Sequence, residues 1–239
     1  SIEFFVGLFR IVTGLLFMKI LYIYNMVFNE EIASEVAKVL LQIKAIKLQP
    51  SNPFTWASGI QSPIYCDNRK ILSYTSARNT VSDKLAQVVL ERYPKPDVLA
   101  GVATGGIAHG VLAAQRLDYP FVYIRSNSKG HGLQNVIEGE LNKDSSVVVV
   151  EDLVSTGGSS LKAVDALRDY GCNVIGMVAI FSYGFKIAED NFKAAQCELV
   201  TLSDYSSLIK EALQSGYIND DDVKVLQEWR ENPEKLKAL

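Results

Sequence analysis

The sequence predicts an α/β fold with a central, mainly parallel sheet flanked by helices, and two observations carry that expectation. Four short runs, 98–102, 120–124, 147–150 and 174–180, are apolar almost throughout, and helical periodicity returns between them. Strands covered on both faces read as unbroken apolar runs, whereas half-exposed strands alternate. Three of these runs lead straight into small-residue or polar loops at 103–106, 125–132 and 151–159. Ligand sites of open parallel sheets sit at such strand ends. The 239 residues, 48% hydrophobic and 21% charged, suit one domain of about 200 residues with additional segments. No repeat, low-complexity tract or second-domain boundary is visible.

Residues 1–25 are densely apolar but carry Arg10 and Lys19. Each would cost about 2.5–3.5 kcal/mol at a bilayer centre, so a membrane span is not expected. No basic segment precedes the apolar run, which argues against a signal peptide. This stretch is read as a leader upstream of a native start at Met26, outside a single domain at 26–239. From Asn29 a helix is expected: Ile32, Val36, Val39, Leu40 and Ile43 form one apolar stripe, Asn29 can cap it, and Glu30 and Glu31 suit its positive end. The stretch 50–67, rich in Pro, Ser and Asn around Phe54, Trp56 and Tyr65, reads as short strands or a hairpin. A second helix is expected from Thr75 to Tyr93, ended by Pro94 and Pro96. Others follow the apolar runs: one through Arg116, one over 160–170 closed by Gly171, and helical signals near 191–195 and from Tyr205 onward.

A net charge of −3 offers no basic field, so no nucleic-acid partner is expected. Cys66, Cys172 and Cys197 form neither CxxC nor a Cys/His cluster, which points to reduced thiols in a cytoplasmic protein.

The chemistry concentrates in Glu151-Asp152-Leu153-Val154-Ser155-Thr156-Gly157-Gly158-Ser159. Small residues let a backbone approach a phosphate, and hydroxyls and N–H groups at a helix start supply donors. Two adjacent carboxylates ahead of them suit ribose hydroxyls and a hydrated Mg2+ ion. The loop lacks a Walker lysine and has no GxGxxG, so neither a nucleotide P-loop nor a dinucleotide fold is indicated. In the second loop, Arg125, Lys129 and His131 stand among Gly130 and Gly132, a set of cations able to meet negative charge as a bond to pyrophosphate breaks. The third loop, Ala103-Thr104-Gly105-Gly106, can turn N–H groups toward the same group.

The acid pair followed by Ser155-Thr156-Gly157-Gly158-Ser159 resembles the phosphoribosyl pyrophosphate (PRPP) motif of type I phosphoribosyltransferases. The run from Asn52 through Pro53-Phe54-Thr55 and Ser62-Pro63-Ile64-Tyr65-Cys66-Asp67-Asn68-Arg69 looks like the N-terminal hood of orotate phosphoribosyltransferases. With Ile137-Glu138-Gly139 the resemblance spans roughly Val27 to Lys210.

The resemblance implies a type I phosphoribosyltransferase fold with a small hood formed mainly by 26–75. It also implies transfer of phosphoribose from PRPP to orotate, with Mg2+ chelated by PRPP. Arg125, Lys129 and His131 would bind pyrophosphate. Glu151 and Asp152 would hold the ribose hydroxyls and, through water, the metal. Leu153 to Ser159 would line PRPP, with Thr156 to Ser159 at the 5-phosphate, and Ser155 would also reach the orotate carboxylate. Lys129, His131 and Asp152 are the expected catalytic residues. Homodimers that share the cationic loop are implied too. Where many family members carry extra cations this chain has Ala57, Ser126 and Ser182-Tyr183, which leaves Arg69 or hood N–H groups to meet orotate's carboxylate. A purine or xanthine phosphoribosyltransferase and a non-catalytic PRPP-sensing regulator share the loop. The hood speaks against the first, and the mixed-charge tail from Asp220 against the second.

Overall fold

A computed structural model describes residues 26–55, 61–125 and 136–233. The expected leader lies outside the described residues. Helix α1 (Glu30–Gln42) starts as its sequence requires: the Asn29 side chain accepts the Ile32 N–H at 2.8 Å, and Ile32, Val36 and Leu40 are buried. The hood follows. Strand β1 (Ile46–Leu48), β2 (Phe54–Thr55), β3 (Gln61–Ser62) and β4 (Ile64–Cys66) pair as two antiparallel couples, β1 with β4 and β2 with β3. A 3-10 turn over Asn68–Ser73 then leads into α2 (Thr75–Arg92).

The central sheet begins at β5 (Val98–Val102), followed by α3 (Gly105–Leu117), β6 (Phe121–Ile124) and β7 (Ile137–Glu138). It continues with β8 (Ser146–Val154), α4 (Gly158–Tyr170), β9 (Asn173–Ser182), α5 (Lys186–Ala194) and β10 (Leu199–Asp204), and the chain closes with α6 (Tyr205–Gln214) and α7 (Asp220–Glu231). The six strands lie in the order β10-β9-β8-β5-β6-β7, with every neighbouring pair parallel except β6 and β7. Val147, Val148, Val149 and Val150 are all fully buried. Val148 and Val150 face a core shared with α1, α2, α3 and α6, and Val147 and Val149 face α4 and α5 on the other side. That two-sided burial is why the run shows no alternation.

Two strands differ from expectation. The apolar run of β8 stops at Val150, but pairing with β9 continues through Glu151, Leu153 and Val154, so the acid pair stands on a strand, not in a loop. Strand β10 escapes a search for apolar runs because Thr201 and Ser203 interrupt it. Both are buried, and their hydroxyls donate to the carbonyls of Met26 (3.3 Å) and Ala33 (2.8 Å). At the other end of the chain, Trp229 of α7 is buried among Tyr183, Phe185 and Tyr205.

The connectivity marks the site. From β5 the chain moves to β6 on one side, then returns to β8 on the other. Strand order reverses there, so the loops leaving β5 and β8 open a crevice beyond the carboxyl ends of the strands.

Candidate functional site

The two crevice loops touch. A Cβ at Gly105, the first residue of α3, would lie 2.2 Å from the Asp152 carboxylate, and one at Gly106 would lie 2.5 Å from the Val150 carbonyl oxygen. The glycine pair therefore does more than expose N–H groups: it lets α3 start flush against β8. The Ala103–Thr104 peptide just before it is cis.

The two acids, adjacent on a strand, point to opposite sides and meet different surroundings. Glu151 is buried. One of its oxygens accepts the Asp152 N–H at 2.9 Å and the other accepts the Ser160 hydroxyl at 2.9 Å. Burial first, then the neighbouring Asp152 charge, pushes its carboxyl up to about 8. Asp152 is half-buried and stands against Gly105. Asp152 thus stands toward the crevice, while Glu151, whose proton is held more tightly than an ordinary carboxyl's, braces α4 through Ser160.

Three residues in this cluster received no role of their own from the sequence. Asn68, buried at the start of the 3-10 turn, donates its side-chain amide to the Asp152 carbonyl at 2.6 Å, tying hood to sheet. The Cys66 thiol donates to the Asn68 side-chain oxygen at 3.4 Å, and burial, followed by the Asp152 charge, holds it well above the usual thiol range. His109 is buried one helical turn beyond Gly105, and its Nε2 has no hydrogen-bond partner among the described residues. Burial lowers its pKa against the opposing pull of Asp152, which keeps the imidazole neutral. The four-residue spacing from Gly105 is the one signal that could have placed His109 on this face.

Beyond the acids, Leu153 is half-buried and Val154 fully buried, and both side chains belong to the cores, so a ligand can meet only their backbone. Ser155 is half-buried, while Thr156, Gly158 and Ser159 are exposed. Gly157 has φ +81°, a left-handed conformation natural to glycine, and a Cβ there would meet the Phe192 ring at 2.7 Å. No side chain caps α4. Its first-turn N–H groups and positive dipole end are therefore turned to whatever anion the loop receives. Asn191 steadies the loop by donating to the Thr156 carbonyl at 2.9 Å.

Arg125 ends β6, where its side chain pairs with Glu138 at 2.8 Å and its N–H donates to the Val136 carbonyl at 2.8 Å. Residues 126–135, including Lys129 and His131, lie outside the described residues, as do hood residues 56–60. Among the described residues no cluster of three or more His, Cys, Asp or Glu side chains could enclose a metal unaided. A carboxylate such as Asp152, completed by a ligand's phosphate oxygens, matches the way Mg2+ is commonly held. The crevice thus joins a helix start suited to a phosphate with a carboxylate suited to sugar hydroxyls or a hard cation, and it presents no activated nucleophile among the described residues.

Comparison with known proteins agrees with this geometry. The family model for the phosphoribosyl transferase domain matches residues 71–215. The orotate phosphoribosyltransferase of Porphyromonas gingivalis is 56% identical over 199 residues, covering 83% of this chain and 95% of that protein. That of Staphylococcus saprophyticus is 50% identical over 200 residues, covering 84% and 98%. The crystal structure of orotate phosphoribosyltransferase from Aeropyrum pernix superposes with a TM-score of 0.67 at 29% identity, covering 77% of this chain and 99% of that one.

Proposed function

The chain belongs to the orotate phosphoribosyltransferase family, and on that premise we propose that it transfers phosphoribose from PRPP to N1 of orotate. The products are orotidine 5′-monophosphate and pyrophosphate, and the reaction serves de novo pyrimidine synthesis. One observation carries the reading: Asp152 stands near the carboxyl end of β8, whose loop leads directly into the uncapped start of α4, so one strand–loop–helix segment can grip a ribose and its 5-phosphate together.

The reaction breaks the bond from C1′ to pyrophosphate and the N1–H bond of orotate, forms one from C1′ to N1, and releases the N1 proton to pyrophosphate or solvent. It needs positioning and charge stabilisation, not a covalent intermediate on the protein. The 5-phosphate is assigned to Thr156 through Ser159 at the start of α4, and the ribose hydroxyls to Asp152, with Glu151 behind it. Ser155, at the junction, faces the orotate side. Arg125, Lys129 and His131 are assigned to pyrophosphate. Mg2+, when bound with PRPP, supplies charge neutralisation on the phosphates, and Asp152, with Glu151 through water, would hold it. The proposal further takes residues 26–239 as one cytoplasmic catalytic domain, working as a homodimer that shares the loop at 125–132, without a nucleic-acid partner. No helix among the described residues is long and apolar enough to cross a membrane.

The test is the loss of orotate's ultraviolet absorbance on adding PRPP and Mg2+, with orotidine 5′-monophosphate identified as product. Turnover of hypoxanthine, guanine or xanthine in place of orotate would assign the chain to the purine enzymes, and PRPP binding without turnover of any base would make it a sensor.

A further inference from the structure

Orotate carries a carboxylate on the ring carbon next to N1, and its site must meet that charge where water is partly excluded. At the end of β9 the nearby cation is Arg230 of α7, and its guanidinium is engaged: it donates to the Gly184 carbonyl at 3.1 Å and the Ser206 hydroxyl at 2.8 Å, and lies 5.6 Å from the Tyr205 ring centre. The Ser182 hydroxyl is buried and accepts the Gly184 N–H at 3.0 Å, and Tyr183 is packed among Phe181, Phe185 and Trp229. Arg125 pairs with Glu138, and the Lys70 ammonium donates to the Lys44 carbonyl at 3.0 Å.

Arg69 differs from these. It follows Asn68, the residue bonded to the Asp152 carbonyl, so its backbone is fixed at the mouth of the crevice. Its Nε donates to Asp67 Oδ1 at 2.7 Å, which orients the guanidinium, while the two Nη groups make no hydrogen bond among the described residues. The side chain is 64% exposed. The Asp67 hydrogen bond chiefly raises its pKa and holds the guanidinium charged. Beside it, Tyr65 is exposed and its ring lies 5.7 Å from that of Phe54, an aromatic surface able to take a flat base. A guanidinium fork with two open Nη groups is built for a carboxylate in a way that an ammonium is not.

We propose that Arg69 recognises the orotate carboxylate and so selects the acidic pyrimidine over its neutral counterpart uracil. This rests on the functional reading above. Arg69→Gln is expected to raise the KM for orotate about thirty- to a hundredfold, the loss typical of a charged hydrogen bond. The KM for PRPP should stay within about threefold, and so should the Ki for uracil. Arg69→Lys should recover only part of the loss. Thermal melting should not move, because the side chain is exposed. Orotate binding to the wild-type chain, measured by calorimetry with Mg2+ and pyrophosphate present, separates the two ways of failing. If the wild type does not bind orotate, both the functional reading and this inference fall. If it binds orotate and Arg69→Gln binds it within about threefold as tightly, the inference alone falls. A loss shared equally by PRPP and orotate would assign Arg69 to the phosphates and overturn the proposal.

Discussion

Gly105→Ala tests whether the position of the Asp152 carboxylate matters to the reaction. The new Cβ would lie 2.2–2.3 Å from the carboxylate carbon and both its oxygens, and ordinary contact requires about 1 Å more. The Asp152 backbone cannot give way. Its carbonyl holds the Asn68 amide, and its strand pairs with β9 on both sides of it, at Glu151 and Leu153. The side chain, half-buried at the crevice, can rotate instead. A displacement of about 1 Å at a reacting site costs about a hundredfold in rate, equivalent to about 2.7 kcal/mol. Stability should hold, because the backbone here is not left-handed and Ala is favoured over Gly in a helix by about 1 kcal/mol. The expected result is a roughly hundredfold fall in kcat/KM for PRPP, read from orotate absorbance, with an unchanged melting temperature. Gly106→Ala supplies the contrast, since its Cβ would press on the Val150 carbonyl at 2.5 Å, in a central strand that cannot move. That overpacking should cost about 1–3 kcal/mol of stability and lower the melting temperature by several degrees. If Gly105→Ala kept kcat/KM within about threefold of wild type while melting normally, the placement of Asp152 would be irrelevant to catalysis, and the reasoning from these contacts would fail.

Two further outcomes follow from the same site. Lys129→Ala should lower kcat far more than it weakens orotate binding, because its proposed partner is the departing pyrophosphate, and an unchanged kcat removes it from the mechanism. Glu151 predicts a pH dependence of stability. Its carboxyl titrates near 8 in the fold against an ordinary value of 4.5, so between those values the folded chain keeps a proton that the unfolded chain has released. Stability from this group is then complete below about pH 4.5 and declines as pH rises toward about 8. Glu151→Gln imitates the protonated form, so the melting temperature of the ligand-free, Mg2+-free variant should fall less over that range than the wild type's. Parallel melting curves would refute the assignment.

The parts of the fold legible in the sequence are those where burial and polarity agree. The run at β5 is buried at every position, and Asn29 caps α1 through a contact only three residues long. Strand β7, at two residues, is too short for any periodicity to register. Strand β10 hid behind two buried hydroxyls satisfied by backbone from the far end of the chain. At the site, the acid pair and the small-residue loop were visible because their chemistry is local. The unlike environments of Glu151 and Asp152 were not, because they arise from a strand that continues past its apolar run. Nor could the sequence show that Asn68 reaches across 84 positions to hold the Asp152 carbonyl. Such a contact exists only once the hood has folded over β8.

That contact bears on how the substrate halves are aligned. Strand β8 is anchored by its valines in both cores and carries the acids and the loop that begins at Ser155. The hood, which the proposal makes responsible for the base, is fixed to this strand by the Asn68 amide at the very residue assigned to the ribose. Arg69 follows directly. The distance between the base's carboxylate and the sugar's C1′ would thus be set by one rigid path, from Asp152 through Asn68 to Arg69, rather than by two independently moving elements. Reactions that depend on near-attack geometry gain most from such a path, because error in the placement of one partner is then shared by the other. Removing the Asn68 amide should for that reason disturb orotate and PRPP together, whereas removing the Arg69 charge should disturb orotate alone.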